Sequence, residues 1–253
     1  MKELSIEEQK RLSAERAVNF IKSGMIVGLG TGSTVKFVLR KISDKIKNGE
    51  LKNVVGVPTS SRTEKEANRL GIPIISLNEA FKKAEKRNLN HKHTYKKQLN
   101  KSKHKKPLCI DLTIDGADEV DKDMNLIKGG GGALLREKIV AMASKKLIIV
   151  VDNSKFSKYL GEKSFVPIEV IPFAQNFVNN FLKAINAKTK LRKNKHGDIY
   201  LTDQKNIIID ANFGVIKNPK RLAQLLDITP GVVEHGLFID MADKVIGPKQ
   251  DKF

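Results

Sequence analysis

The feature that most constrains the fold of this chain is a series of short apolar runs with helical stretches between them. The runs are Met25–Leu29, Asn53–Val57, Leu108–Ile114 and Lys146–Val151, with a shorter one at Ile72–Ser76. Helical patterns cover 6–23, 35–42, 60–70 and 133–144. Strands that alternate with helices lie parallel, because each crossover carries the chain back to start the next strand in the same direction. Helices then cover both sheet faces, so buried strands read as nearly continuous apolar runs. Ligands of such sheets bind beyond the carboxyl ends of the strands. The turn at Gly30, Asp115 and the Asp152–Lys155 segment each follow one of these runs, so three motifs converge on one edge.

The pattern changes after about residue 163. Val166–Ile171 starts a new unit, 173–187 is helical, and strand-like pieces follow at 189–192, 199–201 and 206–210 before a helix at 219–226. Short strands at 236–239 and 244–246 are expected to close the chain. The expected class is α/β, a Rossmann-like parallel-sheet domain with a smaller inserted α+β domain. Residues 1–163 and 232–253 form the first and 164–231 the second.

The 253 residues suffice for one large core or a core with a satellite. No apolar run approaches the roughly 18 residues that span a bilayer, and the N-terminus has no apolar signal segment. The single cysteine, Cys109, excludes an intramolecular disulfide. From these features a cytoplasmic protein, away from membranes, is expected. The net charge of +19 is unevenly spread: residues 82–106 hold ten lysines and one arginine against one glutamate. That segment is low in complexity and poor in apolar residues, which predicts a mobile surface insertion. Its single aromatic, Tyr95, gives little for base stacking, so nucleic acid is not the expected partner.

Three motifs carry chemistry. Gly28-Leu-Gly-Thr-Gly-Ser-Thr34 departs from a dinucleotide fingerprint at Ser33, and no Gly-Lys-Ser/Thr follows for a P-loop. What remains is a turn of bare amides and hydroxyls at a helix start, suited to an anion or to plain capping by Ser33 or Thr34. Asp115-Gly-Ala-Asp-Glu-Val-Asp121 offers four carboxylates, readable as a magnesium site or an acidic turn. Gly116 and Ala117 allow close approach beside Asp115 and Asp118, whereas Glu119 and Asp121 are expected to be solvated or to cap a helix. Lys128-Gly-Gly-Gly-Gly132 costs conformational entropy that a mere connection would not need. Its amides and Lys128 make an oxyanion-hole arrangement, and Glu137 on the next helix is either an exposed carboxylate or a general base. Lys155 reaches the same edge. Tyr200 reads as core and His235 as a turn residue.

Together with Gly231-Val-Val-Glu-His-Gly-Leu-Phe238, these motifs resemble the A-type ribose-5-phosphate isomerases, in family order and over nearly the whole chain outside 82–106. The resemblance implies interconversion of D-ribose 5-phosphate and D-ribulose 5-phosphate in the non-oxidative pentose phosphate pathway. It implies no metal or organic cofactor, and a homodimer or homotetramer. Glu137 would be the proton-transferring base, with Asp115 and Lys128 beside it. Thr31, Gly32, Ser33, Thr34, Asp115, Gly116, Ala117, Asp118, Lys128, Gly129, Gly130, Gly131 and Lys155 would contact the sugar phosphate, with Lys10 near the phosphate. Two departures stand out: the basic insertion, and Leu135 where the family commonly has threonine. The competing readings are a non-catalytic sugar-phosphate sensor, a nucleic-acid binder using the insertion, and a metal-dependent phosphotransferase.

Overall fold

The computed structural model describes residues 4–89, 108–248 and 251–252. Helix α1 (Ile6–Val18) opens with a capping box in which Ser5 and Glu8 satisfy each other's end groups. Strand β1 (Ile26–Leu29) is buried throughout and leads through the glycine turn into α2 (Val35–Lys47). Next come β2 (Val55–Pro58), α3 (Ser61–Arg69) and α4 (Leu77–Leu89). The run at 72–76 contributes only one bridge, Gly56 to Ile74, along the free edge of β2, and Pro73 has no N–H to donate to a ladder.

Beyond residue 107 lie β3 (Leu112–Gly116), β4 (Glu119–Val120), β5 (Leu126–Ile127), α5 (Leu134–Met142) and β6 (Leu147–Val150). The second unit carries β7 (Val166–Val170), α6 (Gln175–Ala184), β8 (Lys188–Leu191), β9 (Ile207–Asn212), α7 (Pro219–Asp227) and β10 (Val232–His235). The chain ends through β11 (Leu237–Phe238), β12 (Lys244–Ile246) and β13 (Asp251–Lys252).

The main sheet runs β13-β12-β6-β3-β1-β2, parallel from β12 to β2. After β1 the chain moves outward to β2, then returns to place β3 on the other side of β1. The carboxyl ends of β1 and β3 therefore flank the point where the winding reverses, where a crevice opens. Leu29 pairs with Ile114, so the residues that follow each strand emerge side by side. A second, four-stranded antiparallel sheet runs β10-β7-β9-β8 with its own apolar core, including Val178, Leu182 and Leu226.

Several expectations need correction. Strand β10 pairs with β7, so the smaller sheet extends past the expected boundary at Gly231. The apolar pattern of 232–235 marks a strand without saying which sheet it joins. Strand β11 pairs with β5 in a small three-stranded sheet rather than closing the main one. Residues 82–89, expected to be insertion, are the last turns of α4. Ala84 packs beside Ala80 and Phe81, and Arg87 donates to Asp111 and to the Gly24 carbonyl. Residues 90–106 lie outside the described residues. No described helix is long and apolar enough to cross a membrane.

Candidate active site

The site is built where β1, β3 and β6 end. After β1, Gly30 lies so close to Asp115 that a Cβ there would stand 2.1 Å from its Oδ1. That contact lets the Thr31 N–H donate to Asp115 Oδ1 at 3.0 Å, joining the two strand ends. Thr31 Oγ1 is buried among the hydroxyls of Thr59, Ser60 and Thr63, at 2.8, 2.8 and 3.0 Å. This hydroxyl cluster fixes the turn from below. Thr34 caps α2 without a side-chain hydrogen bond, so the first amides of that helix stay available to an anion.

Asp115 ends β3 fully buried. Its carboxyl accepts from Thr31 and Gly116 N–H groups and faces Lys128 Nζ at 3.0 Å. Lys128 is 2% exposed. Its ammonium donates to the Gly116 carbonyl at 2.6 Å, lies 3.4 Å from Glu137 Oε2, and sits over the Phe238 ring. Glu137 lies on the first turn of α5, is buried, and its Oε2 has no hydrogen-bond partner.

One cation thus stands between two buried carboxyls. Burial pushes Glu137 up to about 8, opposed by Lys128 and reinforced by Asp115 and Asp118. Burial also raises Asp115, again opposed by Lys128 and by two backbone donors. For Lys128 burial pulls downward, but Asp115 and Glu137 outweigh it and hold the ammonium above its ordinary range. Asp115 is supplied by two backbone amides and the Lys128 ammonium, whereas Glu137 Oε2 has only that ammonium, 3.4 Å away.

The glycine loop after Lys128 is held from the second unit. Arg192 donates to the Gly129 and Gly130 carbonyls while gripping Asp210. Gly132 has φ +79°, and a Cβ there would strike Tyr200, whose hydroxyl donates to the Gly131 carbonyl. Tyr200 is therefore a wall of this loop rather than core. Asp118 accepts from the Gly130 N–H at 2.7 Å.

A cleft of about 90 Å³ brings together Thr31, Gly32, Ser33, Thr34, Gly116, Ala117, Asp118, Lys128, Gly129, Gly131, Glu137 and Lys155. Asp115 lies beneath it and Gly130 beside it. Lys155 arrives on a short helical turn capped by Asp152 after β6. Lys10 lines a neighbouring hollow with Ser33, Lys36 and Arg40.

Two expectations from the acidic motif are overturned. Glu119 is not solvated: it is fully buried and accepts from the N–H groups of Gly161, Glu162, Lys163 and Ser164. Asp121 is buried too, ordering its own turn through the Asp123 and Asn125 amides. The four carboxylates therefore turn to four different sets of donors. His235 is likewise a buried strand residue, paired through Nε2 with Asp227 at 2.9 Å. Sequence reasoning also missed Arg192 and Gly236, the latter packed against the Lys128 carbonyl.

A family model described as ribose 5-phosphate isomerase A (phosphoriboisomerase A) matches residues 89–252. Ribose-5-phosphate isomerase A of Desulfatibacillum aliphaticivorans is 45% identical over 237 residues, 94% of this chain and 91% of its own length. Probable ribose-5-phosphate isomerase 2 of Arabidopsis thaliana is 39% identical over 251 residues, covering 96% and 84%. Among solved structures, ribose 5-phosphate isomerase from Plasmodium falciparum superposes with a TM-score of 0.80 at 39% identity, over 94% and 93% of the two chains. A D-ribose-5-phosphate isomerase in complex with phospho-erythronic acid gives 0.82 at 39% identity, over 96% and 94%.

Proposed function

Because the chain belongs to the ribose 5-phosphate isomerase A family, we propose which of its residues carry out that reaction. The enzyme interconverts D-ribose 5-phosphate and D-ribulose 5-phosphate, an aldose–ketose isomerisation of the non-oxidative pentose phosphate pathway.

In our reading the Thr31–Thr34 turn and Lys155 hold the phosphate, and Asp115 assists proton transfer as the furanose opens. Glu137 takes the proton from C2 of the open aldose. The electrons of that C–H bond move into a C1–C2 double bond, and the carbonyl oxygen becomes an enediolate oxygen. Lys128 and the Gly129–Gly131 amides stabilise that charge. The C2 hydroxyl proton passes to the C1 oxygen, and protonated Glu137 returns its proton to C1 as the electrons left on the C2 oxygen form the ketone, giving the ketose.

The observation that carries this reading is Glu137 itself: buried, bordering the cleft, beside a buried ammonium, and with one oxygen lacking a hydrogen bond. A carboxyl whose affinity for a proton is raised toward neutrality suits both halves of a proton shuttle. The test is proton NMR of D-ribose 5-phosphate in deuterated water with chelator-treated protein. Ribulose 5-phosphate should form with proton–deuteron exchange at the reacting carbon. Binding without conversion would leave the sensor reading instead.

The same proposal treats residues 1–163 with the C-terminal strands as the catalytic unit, and the region starting near 164 as the unit that braces the glycine loop. It places the protein in the cytoplasm, supported by the lone, buried thiol of Cys109. It makes the protein a homodimer or homotetramer, supported by Ile171, Phe173 and Phe177, whose exposures reach 98% at Phe173. Light scattering of wild type and Phe173→Asp checks the assembly: a monomeric wild type would remove it.

A further inference from the structure

The groove between α2 and α3 gathers five cations against one lining carboxylate, Glu66. It is a hollow of about 540 Å³ between Lys36 and Arg40 of α2 and Arg62, Lys65 and Arg69 of α3. Its paired cation is Arg69, which Glu66 holds at 2.6 Å. Among the described residues Lys36, Arg40, Arg62 and Lys65 have no carboxylate partner within 4 Å. Elsewhere Arg11, Arg87, Arg136 and Arg192 each face one. Glu66, four residues from Arg62 on α3, offsets only part of this charge. Lys36 and Arg40 are four residues apart on one helix, and Arg62, Lys65 and Arg69 are three and four apart on the other. Like charges at these spacings destabilise a helix. An anion in the groove would relieve both helices at once.

The groove also adjoins the substrate cleft. Gly32 lines both hollows. The Arg62 guanidinium stands 3.2 Å from where a Cβ on Gly131 would be, so it reaches from α3 to the glycine loop.

We infer that this groove is a second anion site, taking the further phosphoryl groups of an oligophosphate or bisphosphorylated sugar whose first phosphate occupies the Thr31–Thr34 turn. A monophosphate substrate uses the turn alone. A ligand with two or more phosphoryl groups engages both and blocks the cleft. Guanidinium groups suit this role because their N–H fork matches phosphate oxygens. The anion site itself does not depend on the isomerase mechanism; the blocking of the cleft rests on the proposed phosphate turn.

The test is calorimetric titration of the full chain with inorganic tripolyphosphate and with orthophosphate, at one ionic strength so that screening is equal. Tripolyphosphate is expected to bind about tenfold or more tightly than orthophosphate. The double substitution Arg62→Ala/Lys65→Ala should remove that preference. Lys217→Ala/Arg221→Ala, which takes the same charge from exposed positions on and before α7, should keep it. Added ribose 5-phosphate should weaken tripolyphosphate binding. Equal affinity for the two anions overturns the site, as does an equal loss in both double variants, which would reduce the effect to net charge. Undiminished tripolyphosphate binding under saturating ribose 5-phosphate overturns the bridge to the turn. Absent turnover in the NMR experiment would count against the isomerase mechanism while leaving these binding results intact.

Discussion

Glu119 and Glu137 are both buried, at 0% and 4% exposure, yet their surroundings are opposite. The β4 glutamate lies in a cradle of four backbone N–H groups from residues 161–164, at 3.0–3.2 Å. The α5 glutamate has an oxygen with no hydrogen bond, one ammonium at 3.4 Å and a cleft in front of it. A buried carboxylate supplied with donors on every side can tie a loop to a strand, but it has no capacity left for a ligand. One that is undersupplied is poorly placed for stability and well placed to exchange a proton. The difference in donors, rather than burial, separates the two.

Exchanging each carboxyl for a neutral group should break this pair in different observables. The largest effect is expected for Glu137→Gln, which keeps the shape and removes the base. Turnover should fall by about 1,000- to 10,000-fold, while ribose 5-phosphate still binds in calorimetry. A variant within tenfold of wild type would return Glu137 to the same class as Glu119. Lys128→Met comes next. It leaves the enediolate without its buried cation, and kcat should drop about 100- to 1,000-fold. A change confined to KM would mean that Lys128 holds substrate and transition state equally. Third is Glu119→Ala, which orphans the 161–164 amides. Unfolding in urea should show a loss of about 3 kcal/mol, with kcat per folded molecule unchanged. Lost activity at intact stability would place Glu119 in the chemistry after all.

The sequence carried the parallel sheet because β1, β3 and β6 are buried on both faces and so read as unbroken apolar runs. Asp115 was legible because a carboxylate interrupts the apolar run at the end of β3, and Lys128 and Glu137 because four consecutive glycines stand between the lysine and the helix that carries the glutamate. The sequence did not separate Asp115 from Glu119, two members of one short motif, because what distinguishes them is distant in the chain. The donors to Glu119 lie 42–45 residues away, and the cation beside Asp115 is on another loop. Arg192 and Tyr200 were invisible for the same reason: they reach the glycine loop across 62 to 69 residues. The extension of α4 into the lysine-rich segment is held by Ala84 packing and by Arg87, which reaches Asp111 and the Gly24 carbonyl, contacts that composition does not reveal.

The smallest effect expected is in pH dependence, and it tests the cause of the contrast directly. Burial pushes the Glu137 carboxyl up to about 8, opposed by Lys128. The base must be ionised to accept the C2 proton, so kcat/KM should fall about tenfold for each pH unit below that value. The substrate phosphate, with a second pKa of about 6, titrates lower and is distinguishable. Asp115 adds to the upward push, so Asp115→Asn should move the limb to lower pH even as it lowers the rate. Stability gives the complementary reading. Between the ordinary carboxylate range and about 8, folded Glu137 keeps a proton that the unfolded chain releases. Its contribution therefore falls as pH rises through that window and flattens above it. Glu137→Gln should erase that slope in urea titrations across the window, whereas Glu119→Ala should leave it in place. A kcat/KM limb centred near the ordinary glutamate value would show that Lys128 outweighs burial, leaving hydrogen-bond supply alone to distinguish the two glutamates.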